Sequence, residues 1–227
     1  MTACGNLQHV RELIEKACAR SGRSPAEVIL LGASKTVPPE RIKEFYECGL
    51  KTFGENRVQE FTTKYEALRR LDIDWHFIGR LQTNKVKYLM GKVSLIHSVD
   101  RKSLADEIEK RAQRAGLIQR VLLEVNVGGE ETKGGVAPGE LPELFSYVKG
   151  LPSLKVEGLM TIPPYREDPE EVRPFFSELR ELKRRLEEEF GTTLKHLSMG
   201  MSHDFEVAIE EGATIVRVGT LLFGERA

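Results

Sequence analysis

The feature that most constrains this chain is a recurrence. Short runs of mostly apolar residues alternate with segments patterned as helix, and the runs recur eight times: 28–33, 51–54, 75–79, 95–99, 121–127, 156–162, 197–201 and 215–218. They are often nearly continuous in apolar character, as strands covered on both faces should be. Between them, apolar residues fall at helical spacing. Residues 58–68 place Val58, Phe61, Tyr65 and Leu68 together, and 103–114 carry Leu104, Ile108 and Ala112, with Ala115 extending the stripe. Residues 169–190 carry Phe175, Leu179, Leu182, Leu186 and Phe190, and a short helix over 204–211 stops at Gly212. A further helix opens the chain over 7–20, with Val10, Leu13, Ile14, Ala17 and Cys18 on one face.

Strict strand–helix alternation argues for a parallel sheet. Eight repeats argue for closure into a (β/α)8 TIM-type barrel with an extra N-terminal helix, one domain over residues 1–227. An open doubly wound sheet is the rival. No Gly-x-Gly-x-x-Gly follows the first strand, which weakens a dinucleotide-binding reading. The formal net charge of -1 offers no global field to attract nucleic acid or anionic lipid. Residues 1–11 contain no apolar signal segment, and no run reaches the length of a membrane span. Cys4, Cys18 and Cys48 have no metal-ligand spacing and cannot all pair. A soluble protein of a reducing cytoplasm is the expectation.

In such a barrel the chemistry gathers at the C-terminal ends of the strands. The first run ends Ala33-Ser34-Lys35-Thr36, followed by Val37-Pro38-Pro39, so Lys35 is expected at the mouth. An amine held in an apolar mouth can form a Schiff base with an aldehyde; the bland alternative is a surface lysine. The seventh run passes through Ser198 into Ser202-His203-Asp204, where Ser202 or Asp204 can cap the next helix. The eighth ends Arg217-Val218-Gly219-Thr220. Loops after strands seven and eight are a recurrent phosphate site in this architecture. Gly219 allows close backbone approach, and Thr220, Ser198 and Ser202 supply hydroxyls. Closure puts strand one beside strand eight, so Lys35 should stand near Arg217 and the phosphate seat. That combination suits pyridoxal 5′-phosphate (PLP).

Several ordered motifs now converge. They are Ala33-Ser34-Lys35-Thr36, the stretch 53–60 (Phe-Gly-Glu-Asn-Arg-Val-Gln-Glu), the stretch 75–85 (Trp-His-Phe-Ile-Gly-Arg-Leu-Gln-Thr-Asn-Lys), and Val125-Asn126-Val127. The run 157–162, residues 197–202, 216–220 and Phe223-Gly224 add to them. Across nearly its whole length the chain resembles the pyridoxal phosphate homeostasis proteins, whose fold is similar to the barrel domain of alanine racemase. The resemblance implies that Lys35 is the Schiff-base lysine and that Arg217 faces the pyridine nitrogen. It also implies that Ser198, Ser202, Gly219 and Thr220 surround the phosphate and that Asn56 lies near the ring. Which serine dominates stays open.

An arginine stays protonated, so a pyridine nitrogen facing it should stay neutral and be a poorer electron sink. Racemases of the similar fold also use a tyrosine from an additional C-terminal domain, for which this sequence is expected to have no room. A non-catalytic PLP carrier therefore ranks first, with apo PLP-dependent enzymes as recipients and a monomer as the expected state. A PLP-dependent amino-acid racemase of restricted activity ranks second, and a barrel phosphate-ester enzyme without PLP third. His76 and His97 read as packed, hydrogen-bonded histidines rather than ligands. Residues 128–135 read as a mobile loop over the mouth, in which Lys133 is a candidate anion contact. The charge run 180–189 reads as a solvated helix face.

Overall fold

The protein is described by a computed structural model over residues 2–224. Eight parallel strands close in sequence order: β1 Ile29–Ala33, β2 Thr52–Glu55, β3 Asp74–Phe77, β4 Leu95–Val99, β5 Gln119–Glu124, β6 Leu154–Met160, β7 His196–Ser198 and β8 Ile215–Val218. Closure pairs β1 with β8, in the register Leu31↔Arg217 and Gly32↔Val218. All eight expected strands are present, and the (β/α)8 barrel stands in place of its open-sheet rival.

Around the barrel lie α1 Ala3–Arg20, α2 Pro39–Glu47, α3 Val58–Leu68, α4 Lys102–Ala115, α5 Leu141–Lys149, α6 Arg173–Phe190, α7 Phe205–Glu210 and α8 Thr220–Phe223. Three of these, α2, α5 and α8, went unnamed in the sequence. Two are nine-residue helices with proline in the first turn, and α8 is a single turn of four residues. Such short segments give too few apolar repeats for a helical period to stand out. The crossover from β3 to β4 is a 3-10 helix, Thr83–Tyr88, rather than an α-helix. The strands β5 and β6 start two residues before the expected runs and stop before 125 and 161. The freed residues build the mouth instead: Asn126 N donates to Val136 O (2.9 Å) and Thr161 Oγ1 to Val125 O (2.7 Å).

Apolar packing is split by the sheet. The larger cluster lies between strands and helices, with Phe45, Phe53, Phe61, Phe77, Phe145 and Phe176 fully buried. The smaller fills the barrel axis with Leu31, Ile78, Leu95, Leu122, Met160 and Ile215. Gly54 and Gly158 make the second possible: a Cβ on Gly158 would stand 1.9 Å from His196 O, and one on Gly54 2.6 Å from Leu31 Cδ2.

Cys4 and Cys48 form a disulfide (Cα–Cα 5.2 Å) that ties α1 to the residue after α2, while Cys18 is free and buried. Spacing in the sequence did not reveal the pairing. It removes the ground on which the cysteines pointed to a reducing compartment. Among the described residues no helix is long and apolar enough to cross a membrane.

Candidate functional site

At the C-terminal end of the barrel a cavity of about 360 Å³ is lined by Lys35, Asn56, Ser202, Arg217, Gly219 and Thr220, together with apolar walls from Ala33, Ile78, Ile162 and Met201. Six of the seven residues selected from sequence thus meet in one place. Closure through β1 and β8 is what brings the ends of the chain together there. Tyr165 and His203, which the sequence did not single out for this role, complete the rim.

Lys35 is half-buried and, among the described residues, its side chain makes no hydrogen bond or ion pair. Its backbone is held on both flanks. Ser34 Oγ donates to Glu55 Oε1 (2.6 Å), and Thr36 N donates to Glu60 Oε2 (2.9 Å). Beneath them the buried ammonium of Lys64 donates to Ser34 O (2.7 Å), Glu55 Oε1 (2.7 Å) and Glu60 Oε2 (3.1 Å). Thr36 is the one non-glycine residue with positive φ (65°) among those described, so the turn after Lys35 is strained and fixed by its partners. Burial pushes the Glu55 carboxyl up, against the opposing pull of Lys64 and Ser34. The motif 53–60 signalled this region, but the ion cluster inside it was missed.

The opposite wall is built by the turn after β7 and the start of α8. Backbone N–H groups of Gly219 (3.2 Å) and Leu221 (3.3 Å) converge on Ser202 Oγ, where α8 begins, and Thr220 stands beside them. Asp204 Oδ1 accepts from Met201 N (2.8 Å), so Asp204 holds the turn and leaves Ser202 to reach the last loop. Gly200, at φ 96°, permits this turn: a Cβ there would stand 2.7 Å from Ala208 Cβ. Asn56 is pressed by Gly79, whose hypothetical Cβ would lie 2.0 Å from Asn56 O, so only glycine fits.

Arg217 is 4% exposed and projects from β8 into the barrel mouth. Its Nη1 donates to Ser198 Oγ (2.6 Å) and its Nη2 to Thr161 O (3.0 Å). Burial lowers its pKa to about 10, opposed by Asp204 and Glu124, so it remains a cation at neutral pH. Ser198 is fully buried and does not line the cavity. It lies behind Arg217, hydrogen-bonded to the guanidinium. Of the two serines, Ser202 is the one that lines the cavity.

Glu124, 9% exposed at the end of β5, is pushed up to about 7 by burial and by neighbouring Asp100, with Arg217 and Arg80 opposing. The segment 128–135 is anchored at three points: Asn126 Nδ2 donates to Glu130 O (2.8 Å), Lys133 Nζ to Pro163 O (3.0 Å), and Gly135 N to Asp100 Oδ2 (3.1 Å). Lys133 also pairs with Glu130 (2.5 Å), so its ammonium is committed within its own loop and does not line the cavity.

Fold and site together define a barrel of the alanine racemase type, with a lysine amine and a buried arginine lining one cavity at its mouth. Residues 39–227 match the family described as alanine racemase, N-terminal domain. A pyridoxal phosphate homeostasis protein of Aquifex aeolicus is 70% identical over 226 residues, covering 100% of this chain and 99% of that protein. Its counterpart in Pseudomonas aeruginosa is 44% identical, covering 99% and 96%. Among solved structures, PipY of Synechococcus elongatus, determined with PLP bound, superposes with TM-score 0.83 at 34% identity, covering 93% of this chain and 100% of that one. The chain belongs to the family of pyridoxal phosphate homeostasis proteins. An alanine racemase of Clostridium difficile (TM-score 0.75, 16% identity) shares the fold over 57% of its length.

Proposed function

We propose that this protein binds PLP in the barrel mouth and serves its homeostasis by holding it, without turning over a substrate. The observation that carries this reading is the meeting of Lys35, Arg217 and the Gly219 seat in one cavity. PLP supplies an aldehyde that an amine can capture, a phosphate and a pyridine ring. The residues fit each part. Lys35 presents an uncommitted amine on a turn fixed by Ser34 and Thr36. Ser202 and Thr220 offer hydroxyls to a dianion beside the Gly219 backbone, and the cavity size is in the usual range for a small ligand. Ala33 and Ile78 would give the ring an apolar wall beside Asn56, and the Arg217 cation would face its nitrogen. A guanidinium there donates hydrogen bonds and gives up no proton, which leaves the ring a weak electron sink.

The rim supports holding over catalysis. Tyr165 is 72% exposed and Met201 42%, so water reaches the mouth, which favours release and works against carbanion chemistry. The racemase reading has one feature in its favour: Tyr165 and His203 line the same cavity and carry groups able to move a proton. Apo PLP-dependent enzymes are the proposed recipients of the cofactor, and the proposed working form is a monomer.

Borohydride reduction of the full chain with added PLP, followed by peptide mapping, tests the reading. The expected label is on Lys35, lost in Lys35→Ala. Label on another lysine, or none, refutes the site. Exchange of an amino acid's α-proton with deuterated solvent at useful turnover overturns the non-catalytic half.

A further inference from the structure

Behind Arg217 the barrel contains an unbroken line of polar side chains in a region otherwise filled with Leu, Ile and Met. Ser198 Oγ lies 2.8 Å from His97 Nδ1, His97 Nε2 lies 2.9 Å from His76 Nδ1, and His76 Nε2 lies 3.1 Å from Asp74 Oδ2. Ser198 and His97 are fully buried and His76 is 2% exposed. Asp74 opens β3 at the opposite end of the barrel, where its side chain is 44% exposed and also accepts from Ser94 Oγ. The line therefore runs from the mouth to solvent at the far end.

The two ends fix its direction. A guanidinium only donates, and a carboxylate only accepts. Each gap between them holds one proton. If Arg217 donates to Ser198 Oγ, the serine hydroxyl is free to donate to His97 Nδ1. His97 Nε2–H then donates to His76 Nδ1, and His76 Nε2–H to Asp74. Every donor in that arrangement has an acceptor. The reverse arrangement has His97 Nδ1–H and Arg217 both donating to Ser198, whose own proton then has no acceptor among the contacts found. Leaving it unsatisfied in a buried site is costly. Burial first, and then the nearby His76, Arg217 and His196 side chains, also hold the His97 imidazole well below its ordinary pKa, in keeping with a neutral ring. The Asp74 carboxyl, despite burial, is held down to about 2 by His76 and Ser94, with help from Arg120. The other charged groups near the line are Glu124 and Asp204 at the mouth and Glu157 against His196 at the far end.

We propose that Asp74, His76, His97 and Ser198 form one oriented chain of hydrogen bonds that positions the Arg217 guanidinium at the mouth, with both imidazoles protonated on Nε2. The chain orients and does not conduct, because arginine cannot release the proton that conduction would require. Aligned donors polarise one another, so each bond strengthens the next. The role assigned to Arg217 rests on the PLP-binding reading; the proton arrangement does not.

Long-range 1H–15N correlation on the full chain with 15N-labelled histidines, without PLP, tests the arrangement directly, with His76→Gln and His97→Gln as assignment controls. At pH 7 both rings are expected to show a bare Nδ1 and a protonated Nε2. Protonation of His97 on Nδ1, or an imidazolium at His76, overturns the proposal. Continuity is read in Asp74→Ala: the His97 Nδ1 resonance should shift although the substitution is two links away, and PLP binding should weaken about three- to ten-fold. Asp74→Asn keeps an acceptor oxygen and should lie close to the natural protein in both readouts. A lowered melting temperature in Asp74→Ala, with His97 and PLP affinity unmoved, assigns the chain a merely structural role and refutes positioning. If PLP never labels Lys35 while the tautomers are as stated, the binding reading fails and the oriented chain stands.

Discussion

Replacing Lys64 by methionine removes the cation beneath the Lys35 turn without leaving a hole, and its cost can be worked from the contacts. The ammonium makes three hydrogen bonds, to Ser34 O, Glu55 Oε1 and Glu60 Oε2, and is 7% exposed. Glu60 is partly solvated at 26%, but Glu55 is at 0% and would remain as a buried carboxylate with only Ser34 for support. Breaking one side of such a pair costs about 3–5 kcal/mol. With an unfolding entropy of about 2.1 cal/mol/K per residue, that is a fall of roughly 6–10 °C in Tm for a chain of this length. The deficit must depend on pH. The Glu55 carboxyl already has a raised pKa when folded, so the folded state binds more protons than the unfolded one and stability falls as pH rises through that value. Losing Lys64 raises it further. Lys64→Met should therefore be worst at neutral pH and recover as pH falls towards the ordinary carboxylate range, where Glu55 is protonated in the folded state. Adding Glu55→Gln removes the buried charge and should restore at least half of the loss at pH 7. Urea melts at pH 5 and pH 7.5 check this. A single-variant cost below about 1 kcal/mol, or a double variant no better than the single, would refute the claim that the charge under Lys35 is desolvated.

Two further outcomes follow from groups elsewhere. The Cys4–Cys48 bond closes a separation of 44 residues, for which loop-closure entropy gives up to about 4 kcal/mol; reductant should lower the urea midpoint of the natural chain to that of Cys4→Ser, and equal midpoints for all three samples would contradict it. Glu124 titrates at about 7 when folded, above its unfolded value, so it stabilises the chain below the ordinary carboxylate range and loses that contribution as pH rises through 7. Glu124→Gln should flatten the stability profile between pH 5 and 8 by about 1–3 kcal/mol, and an unchanged slope would show that the carboxyl is already ionised at pH 5.

Much of the fold was legible because each strand is short, apolar and bounded, and a barrel's topology follows from counting such runs. The order of strands needs no further information once closure is assumed, and closure alone puts Lys35 beside Arg217. What stayed hidden depends on the direction of individual side chains. Ser198 and Ser202 are equivalent as hydroxyls on a line of text. Their different places, one bonded to Arg217 and the other lining the cavity, follow from β7 ending at Ser198, while Ser202 lies past the glycine turn at Gly200. The alternation Asp74, His76, Ile78 and the inward pair Leu95, His97 held the signal for a polar line through the axis. It went unread because histidines within a strand carry no partner in the sequence. The disulfide is similar: α1 packs across the end of α2, and nothing local to Cys4 or Cys48 announces that contact.

Two sets of buried polar groups back the two ends of the site, Lys64 with Glu55 and Glu60 behind Lys35, and Ser198 with its histidines behind Arg217. Stability does not explain them. A buried ion pair is commonly no better than apolar residues of the same volume, and the barrel axis already contains such residues at Leu95, Leu122 and Ile215. What an apolar filling cannot do is fix an amine and a guanidinium in direction. Lys35 sits on a turn with positive φ at Thr36, and Arg217 is a cation with almost no access to water; neither would hold its place without partners that are themselves held. At the surface, Arg173 bonds Glu170, Glu210 and Glu211 and Arg20 bonds Glu206 and Glu210, linking α1, α6 and α7 as a network. The interior groups fix the direction of Lys35 and Arg217, the two cations that line the mouth.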